Sequence, residues 1–216
     1  MSQKVLSLLH EKSPYEGFPE DRVSYDPQGW GSDHPVFERE ITRLKPSLIV
    51  EVGTWKGASA LHMAKIARSL DIDCEIVCVD SFLGSREHWL VPRWKSELRL
   101  EHGQPQVYRQ FLANVVHDGF EDVITPFSCT SSHAAKILAH HDVVSDIVYI
   151  DAGHEYRDVL YDIDLFWQII RPGGVMIGDD FASYFPGVMR AVREFGDTIS
   201  TSPEIDGDKW ILRKNA

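Results

Sequence analysis

Four apolar runs in this sequence close on carboxylates. Leu48-Ile49-Val50-Glu51-Val52, Glu75-Ile76-Val77-Cys78-Val79-Asp80, Asp146-Ile147-Val148-Tyr149-Ile150-Asp151 and Val175-Met176-Ile177-Gly178-Asp179-Asp180 bring Glu51, Asp80, Asp151 and an Asp179-Asp180 pair to strand ends. Nearly continuous apolar runs of this length read as strands buried on both faces. In one parallel sheet their carboxyl ends share a rim, with neighbouring strands roughly 4.8 Å apart. Carboxylates that close repel one another or rise in pKa, so something cationic is expected at the rim. Two ligands answer. Gly53 and Gly57, in Glu51-Val52-Gly53-Thr54-Trp55-Lys56-Gly57-Ala58-Ser59, let backbone approach a ligand closely. Asp80 ends the next strand, where an acid accepts hydrogen bonds from ribose hydroxyls. That pairing suits adenosine. The absence of G-x-G-x-x-G disfavours a dinucleotide, and with it a nicotinamide oxidoreductase. The second ligand is a divalent ion: Asp151, Asp179 and Asp180 offer hard oxygens suited to Mg²⁺, Mn²⁺ or Ca²⁺ rather than zinc. Asp179 or Asp180 also fits as a simple helix cap.

The elements that position these residues follow from periodicity. Residues 59–70 read as a helix, 123–128 as a further strand, and Ser131 or Ser132 as the cap of a helix to about His140. Tyr156, Val159, Leu160, Ile163, Phe166, Trp167 and Ile170 fall at helical spacing, and Pro172-Gly173-Gly174 is the expected stop before the strand at 175–178. Residues 198–202 and 209–213 flank Asp206-Gly207-Asp208 and predict a terminal antiparallel hairpin. The sum is an α/β, Rossmann-like, doubly wound and mostly parallel sheet in a three-layer sandwich. Residues 1–45 form an N-terminal helical and loop extension of the same unit, with helix-like stretches at 2–12 and 34–44 that suit an oligomer interface. Residues 46–216 form the domain proper. Residues 13–35 read as loop, being rich in Pro and Gly. The insert at 83–104, with Trp89, Trp94, Arg86, Arg93 and His88, reads either as a lid or as a surface excursion packing its tryptophans on the core. Trp55 either stacks on a ligand or packs beneath that insert. Lys56 either offsets the acidic rim or is solvated.

Composition narrows the partners. The 216 residues carry a formal charge of −11, which disfavours nucleic acid and anionic membrane surfaces. Its N-terminal apolar run is too short for a signal peptide, and no apolar run approaches the roughly 20 residues of a membrane span. Cys74, Cys78 and Cys129 read as buried, reduced thiols, consistent with a cytoplasmic protein.

Glu51 to Ser59, Val79-Asp80-Ser81, Ile150-Asp151-Ala152-Gly153-His154, Pro172-Gly173-Gly174-Val175 and Gly178-Asp179-Asp180-Phe181 together resemble class I S-adenosylmethionine-dependent methyltransferases. More narrowly they are similar to the metal-dependent macrocin O-methyltransferase branch, with a related cephalosporin-hydroxylase-like group. Pro186-Gly187-Val188, Ala191-Val192 and Phe195 extend the likeness over residues 46–196. The resemblance implies S-adenosylmethionine as cofactor. It places Glu51, Gly53 and Ser59 at the methionine end, Asp80 with Ser81 at the ribose, and Thr130 and Ser131 near the adenine. Asp151 borders the cofactor too, and Asp151, Asp179 and Asp180 hold a divalent metal, Mg²⁺ first, that also binds the acceptor hydroxyl of a small molecule or sugar. Several sugar methyltransferases of that branch carry an acid two places after the first metal aspartate. Here that place is Gly153, and His154 becomes the expected base, unless it is a structural histidine. The resemblance thus implies metal-assisted O-methyl transfer, with Asp151 and His154 catalytic. The alternative is a protein of the same fold that binds the cofactor without methyl transfer.

Overall fold

The computed structural model describes residues 4–19 and 23–216. In chain order it contains α1 (Lys4–Leu9), α2 (Val36–Leu44), β1 (Leu48–Val52), α3 (Ala58–Ser69), β2 (Glu75–Asp80), α4 (Arg86–Leu90), α5 (Pro92–Glu97), α6 (Val107–Asp118), β3 (Ile124–Ser128), α7 (Ser131–His140), β4 (Ser145–Ile150), α8 (Tyr156–Trp167), β5 (Ile170–Gly178), α9 (Pro186–Thr198), β6 (Glu204–Asp206) and β7 (Lys209–Arg213). The sheet order is β3-β2-β1-β4-β5-β7-β6. The first five strands are parallel, and β7 runs antiparallel to both β5 and β6. The chain reverses direction across the sheet between β1 and β4, the switch point at which open α/β sheets bind ligands. Among the described residues, no helix is long and apolar enough to cross a membrane.

Alternate strand residues point to opposite faces, and the core divides accordingly. Ile49, Ile76, Cys78, Ile147, Tyr149, Ile177 and Ile211 meet α2, α3 and α6 on one side. Val50, Val77, Val148, Ile150, Met176 and Leu212 meet α7, α8 and α9 on the other. Near-continuous apolar strands are what two covered faces require.

Five sequence expectations need correction. Residues 198–202 are not strand: the α9 stripe Val188, Ala191, Val192, Phe195 carries the helix to Thr198, whose hydroxyl donates to the Phe195 carbonyl at 2.6 Å, and the hairpin's first strand is Glu204–Asp206. Thr130, not Ser131 or Ser132, caps α7. Ile170 opens β5 instead of closing the preceding helix. Pro172-Gly173-Gly174 is an irregular stretch inside β5, opposite a register shift between Ser145 and Ile147. Cys129 is half-buried, whereas Cys74 and Cys78 are buried; all three are free thiols. Residues 2 and 3 of the first predicted helix and residues 20–22 of the predicted loop lie outside the described residues. The remainder of both helix-like stretches packs on its own chain, with Val5, Val36, Phe37 and Ile41 in the core.

Glu40 ties α2 to the last strand. Its carboxylate is wholly enclosed and pairs with Arg213 at 2.8 Å and Arg43 at 2.8 Å. Burial pushes this carboxyl up, but the hydrogen bonds and charges of Arg213 and Arg43 outweigh it and hold it at about 2. A depressed folded-state pKa stabilises the protein above the ordinary carboxylate range, and that contribution is lost as pH falls toward about 2. Glu40→Gln is expected to cost about 3 kcal/mol at neutral pH, because it removes the buried anion shared by Arg39, Arg43 and Arg213, leaving Arg39 and Arg213 to the exposed Glu204. Urea unfolding at pH 7 and pH 3 checks both statements, the wild-type advantage shrinking at the lower pH.

Candidate active site

Strand parity brings the acids together. Glu51, Asp80, Asp151 and Asp179 each fall two residues after an inward residue of the α2/α3/α6 face: Ile49, Cys78, Tyr149 and Ile177. They crowd the carboxyl rim at the switch point, as the sequence predicts. How each is accommodated is what the sequence leaves open.

Glu51 is sealed, with 0% exposure. Oε2 accepts from Thr54 Oγ1 at 2.6 Å and from Cys78 Sγ at 3.5 Å, and Oε1 accepts from Ser59 Oγ. Burial pushes its pKa up. Glu51 and Ser59 therefore bond to each other within the β1–α3 turn. Gly53 sits above them, half-buried, at φ +83°. A Cβ there would lie 2.0 Å from the Asp151 carbonyl oxygen. The glycine is needed because the β1 and β4 ends pass so closely, and it leaves the switch point's floor as bare backbone. Gly57, at φ +90°, precedes α3.

Asp80 holds the same turn from the side. Oδ2 accepts from the Thr54 and Trp55 amides at 3.0 and 2.9 Å, and Oδ1 accepts from the Phe82 amide at 2.7 Å. Burial raises its pKa against these three donors. A carboxylate offers roughly four acceptor positions, so one is left for a ribose hydroxyl rather than two. Ser81 is half-buried, and its hydroxyl accepts from the Leu83 amide at 3.3 Å. Thr130 is exposed at the α7 start, while Ser131 hydrogen-bonds Asp162 of α8. Both lie just past β3, beside the end of β2.

Across the switch point, Tyr149 Oη donates to Asp151 Oδ2 at 3.0 Å, with Asp179 Oδ2 3.3 Å away as an alternative acceptor. Burial and the charges of Asp179 and Asp180 push Asp151 up. Asp179 is ion-paired through Oδ2 with Lys209 Nζ, and its Oδ1 accepts from the Asp180 amide at 2.8 Å. Asp180, at φ +65°, turns its carboxylate to His154, with Oδ2 2.9 Å from Nε2. That hydrogen bond raises the His154 pKa against burial, and the ring lies over Phe185 with centroids 4.1 Å apart. At Gly153 a Cβ would stand 3.3 Å from Asp158 Cβ, so an acid there would crowd another carboxylate.

The metal set expected of Asp151, Asp179 and Asp180 does not fit this arrangement. Each has a protein partner: a phenol, an ammonium and an imidazole respectively. Among the described residues, no group of three His, Cys, Asp or Glu is gathered as a metal would need. Lys209 and Tyr149 are the site residues that sequence reasoning missed. A lysine opening an otherwise apolar strand, Lys209-Trp210-Ile211-Leu212, was the available signal.

The insert at 83–104 packs in part against the β1–α3 turn, while its Trp89 is exposed. Its His88 ring lies over Trp55 with centroids 4.1 Å apart, and Trp94 meets Trp30 edge-on at 5.2 Å. Trp55 Nε1 and His88 Nε2 are buried there and find no hydrogen-bond partner among the described residues. Lys56 is neither solvated nor at the rim. It is 1% exposed, and its Nζ lies 2.7 Å from both Asp26 and Glu97. Arg99 adds a second contact to Asp26 at 2.9 Å. One buried cation thus pins the N-terminal loop and α5 onto the β1–α3 turn. Lys56→Met is expected to cost about 3 kcal/mol, since it strands the part-buried Glu97 carboxylate and leaves Asp26 to Arg99 alone. Hydrogen exchange read by mass spectrometry is expected to speed up selectively across residues 24–30 and 86–99.

Comparison with known proteins agrees with this fold. A family model described as a methyltransferase domain matches residues 50–181, from the middle of β1 to the residue after the acidic pair. The chain superposes on an O-methyltransferase from Bacillus cereus in complex with SAH, with a TM-score of 0.59, 14% identity, and coverage of 100% of this chain and 92% of that one. The O-methyltransferase NovP gives 0.59 and 18%, covering 96% and 90%. The O-methyltransferase TomG from Streptomyces achromogenes, in complex with SAM, gives 0.58 and 14%, covering 100% and 92%. Likeness at these identities is one of fold. An uncharacterized protein, R132, of Acanthamoeba polyphaga mimivirus is 37% identical over 51 residues, a match to 23% of this chain and 23% of that protein. Because the matched domain spans more than half of the 216 residues, from the glycine turn to the acidic pair, the chain belongs to the methyltransferase-domain family.

Proposed function

We propose that this protein transfers the methyl group of S-adenosylmethionine to a hydroxyl of a small molecule, a sugar being one such acceptor. The observation that carries the reading is the division of the switch point into two halves. On one side lie the Gly53 backbone and Asp80, whose remaining acceptor position suits a ribose hydroxyl. On the other, His154 stands against Asp180 beside Asp151. Family membership and a fold shared with structures holding SAM or SAH support the same assignment.

In this reading the acceptor oxygen attacks the sulfonium methyl in line, the S–CH₃ bond breaks, and neutral S-adenosylhomocysteine leaves. The hydroxyl proton goes to His154. With Nε2–H directed at Asp180, Nδ1 is the basic nitrogen, and Asp180 stabilises the imidazolium that forms. The donor carries its own positive charge, so alignment and proton removal are the protein's main tasks. No step here runs through a metal ion. The net charge of −11 and the enclosed rim fit a small acceptor better than nucleic acid.

Titration calorimetry with S-adenosylhomocysteine is expected to show one site, weakened about tenfold or more in Asp80→Ala. In a screen of hydroxylated acceptors, His154→Ala is expected to lower kcat by about 10²–10⁴ and leave cofactor affinity nearly unchanged. Absence of cofactor binding in the wild type contradicts the proposal. Binding without turnover on any acceptor supports the alternative of a cofactor-binding relative that transfers no methyl group.

A further inference from the structure

We infer that Lys209 is the resident cation of the acidic rim and occupies the place a divalent ion would otherwise take, so that the site works without metal. The inference rests on the reading of this rim as the methyl-transfer site.

Register puts the lysine there. Ile150 pairs with Gly178, and Gly178 pairs with Trp210 on antiparallel β7. One step on, Asp151, Asp179 and Lys209 stand side by side across three strands. Lys209 is 1% exposed. Nζ lies 5.5 and 5.0 Å from the ring centroids of Phe37 and Tyr149. It bonds Asp179 Oδ2 and, at 2.9 Å, Tyr149 Oη, which in turn donates to Asp151 Oδ2. One ammonium therefore reaches one carboxylate directly and a second through a phenol. Backbone roofs the pair: a Cβ on Gly31 would lie 3.6 Å from Nζ and 3.7 Å from Asp179 Oδ2.

An ammonium buried this deeply cannot be left without an anion, and so Asp179 Oδ2 is committed to it. A doubly charged ion bound on the same oxygen would face a fixed positive charge at contact distance. Its third candidate ligand, Asp180, is committed to His154. Lys209 thus acts as a positioning residue, fixing Tyr149, Asp151 and Asp179.

The test is Mn²⁺ titration of the wild-type protein followed by electron paramagnetic resonance of the free ion, with S-adenosylhomocysteine affinity read separately by calorimetry. The wild type is expected to take up no Mn²⁺ below the millimolar range, and its cofactor affinity is expected to be the same with EDTA and with Mg²⁺. Lys209→Met vacates the cation's place, and Mn²⁺ uptake is expected to tighten about tenfold or more. The double variant Lys209→Met/Asp179→Asn is expected to lose that uptake. Stoichiometric micromolar Mn²⁺ binding by the wild type, abolished in Asp179→Asn, would overturn the inference, as would a folded Lys209→Met with no gain. If Lys209→Met does not fold, the wild-type titration decides alone. Loss of cofactor binding would overturn the methyltransferase reading instead, and the manganese result would still stand.

Discussion

Repulsion among carboxylates at the end of one sheet is the constraint around which this protein is arranged. Parallel strands align their carboxyl ends, and parity turns Glu51, Asp80, Asp151 and Asp179 to one face. In water such groups would be screened; at the end of a buried sheet they are not. Each is settled by a different device. Glu51 is held by two hydroxyls and a thiol, and Asp80 by three backbone amides. Asp179 is held by an ammonium and Asp180 by an imidazole, while Asp151 has a phenol that the ammonium itself orients. Other features follow from these devices. The tight turn after β1 presents its amides to Asp80, the left-handed backbone at Asp180 aims its carboxylate at His154, and a C-terminal hairpin returns to deliver Lys209.

The outer parts of the chain are organised around a second buried cation. Lys56, in the β1–α3 turn, gathers Asp26 and Glu97. Residues 24–30 and the two short helices of the insert are thereby fixed against the β1–α3 turn, with Trp55, His88, Trp94 and Trp30 forming an aromatic wall. Both devices follow one principle: a buried lysine is stable only where acids converge on it. Where acids converge, segments distant in sequence are brought into contact.

Much of the fold was legible because it depends on local pattern. Apolar runs fixed β1, β2, β4 and the end of β5, and their acidic ends located the rim before any coordinates. What escaped depends on register between distant segments. Lys209 meets Asp179 only through the antiparallel pairing of β7 with β5, which no spacing within the 209–213 segment reveals. Lys56 looks solvated because its partners lie about 30 residues before and 40 after it. Residues 198–202 look extended because of Thr198, Ile199 and Thr201, whose β-branched preference is weak beside the α9 stripe that packs on α8. The inward partners of Glu51 escaped for another reason. A strand-end acid can point outward to a ligand or inward to the next helix, and Ser59 and Thr54 supply the inward partners.

The account stands or falls on what compensates the rim. Crystals grown with S-adenosylhomocysteine and MnCl₂, measured at the manganese absorption edge, put this to a direct test. The predicted map shows the cofactor over Gly53 and Asp80, and Lys209 Nζ against Asp179 with no anomalous peak among Asp151, Asp179 and Asp180. An anomalous peak within coordination distance of those three carboxylates, with Lys209 displaced, would contradict it.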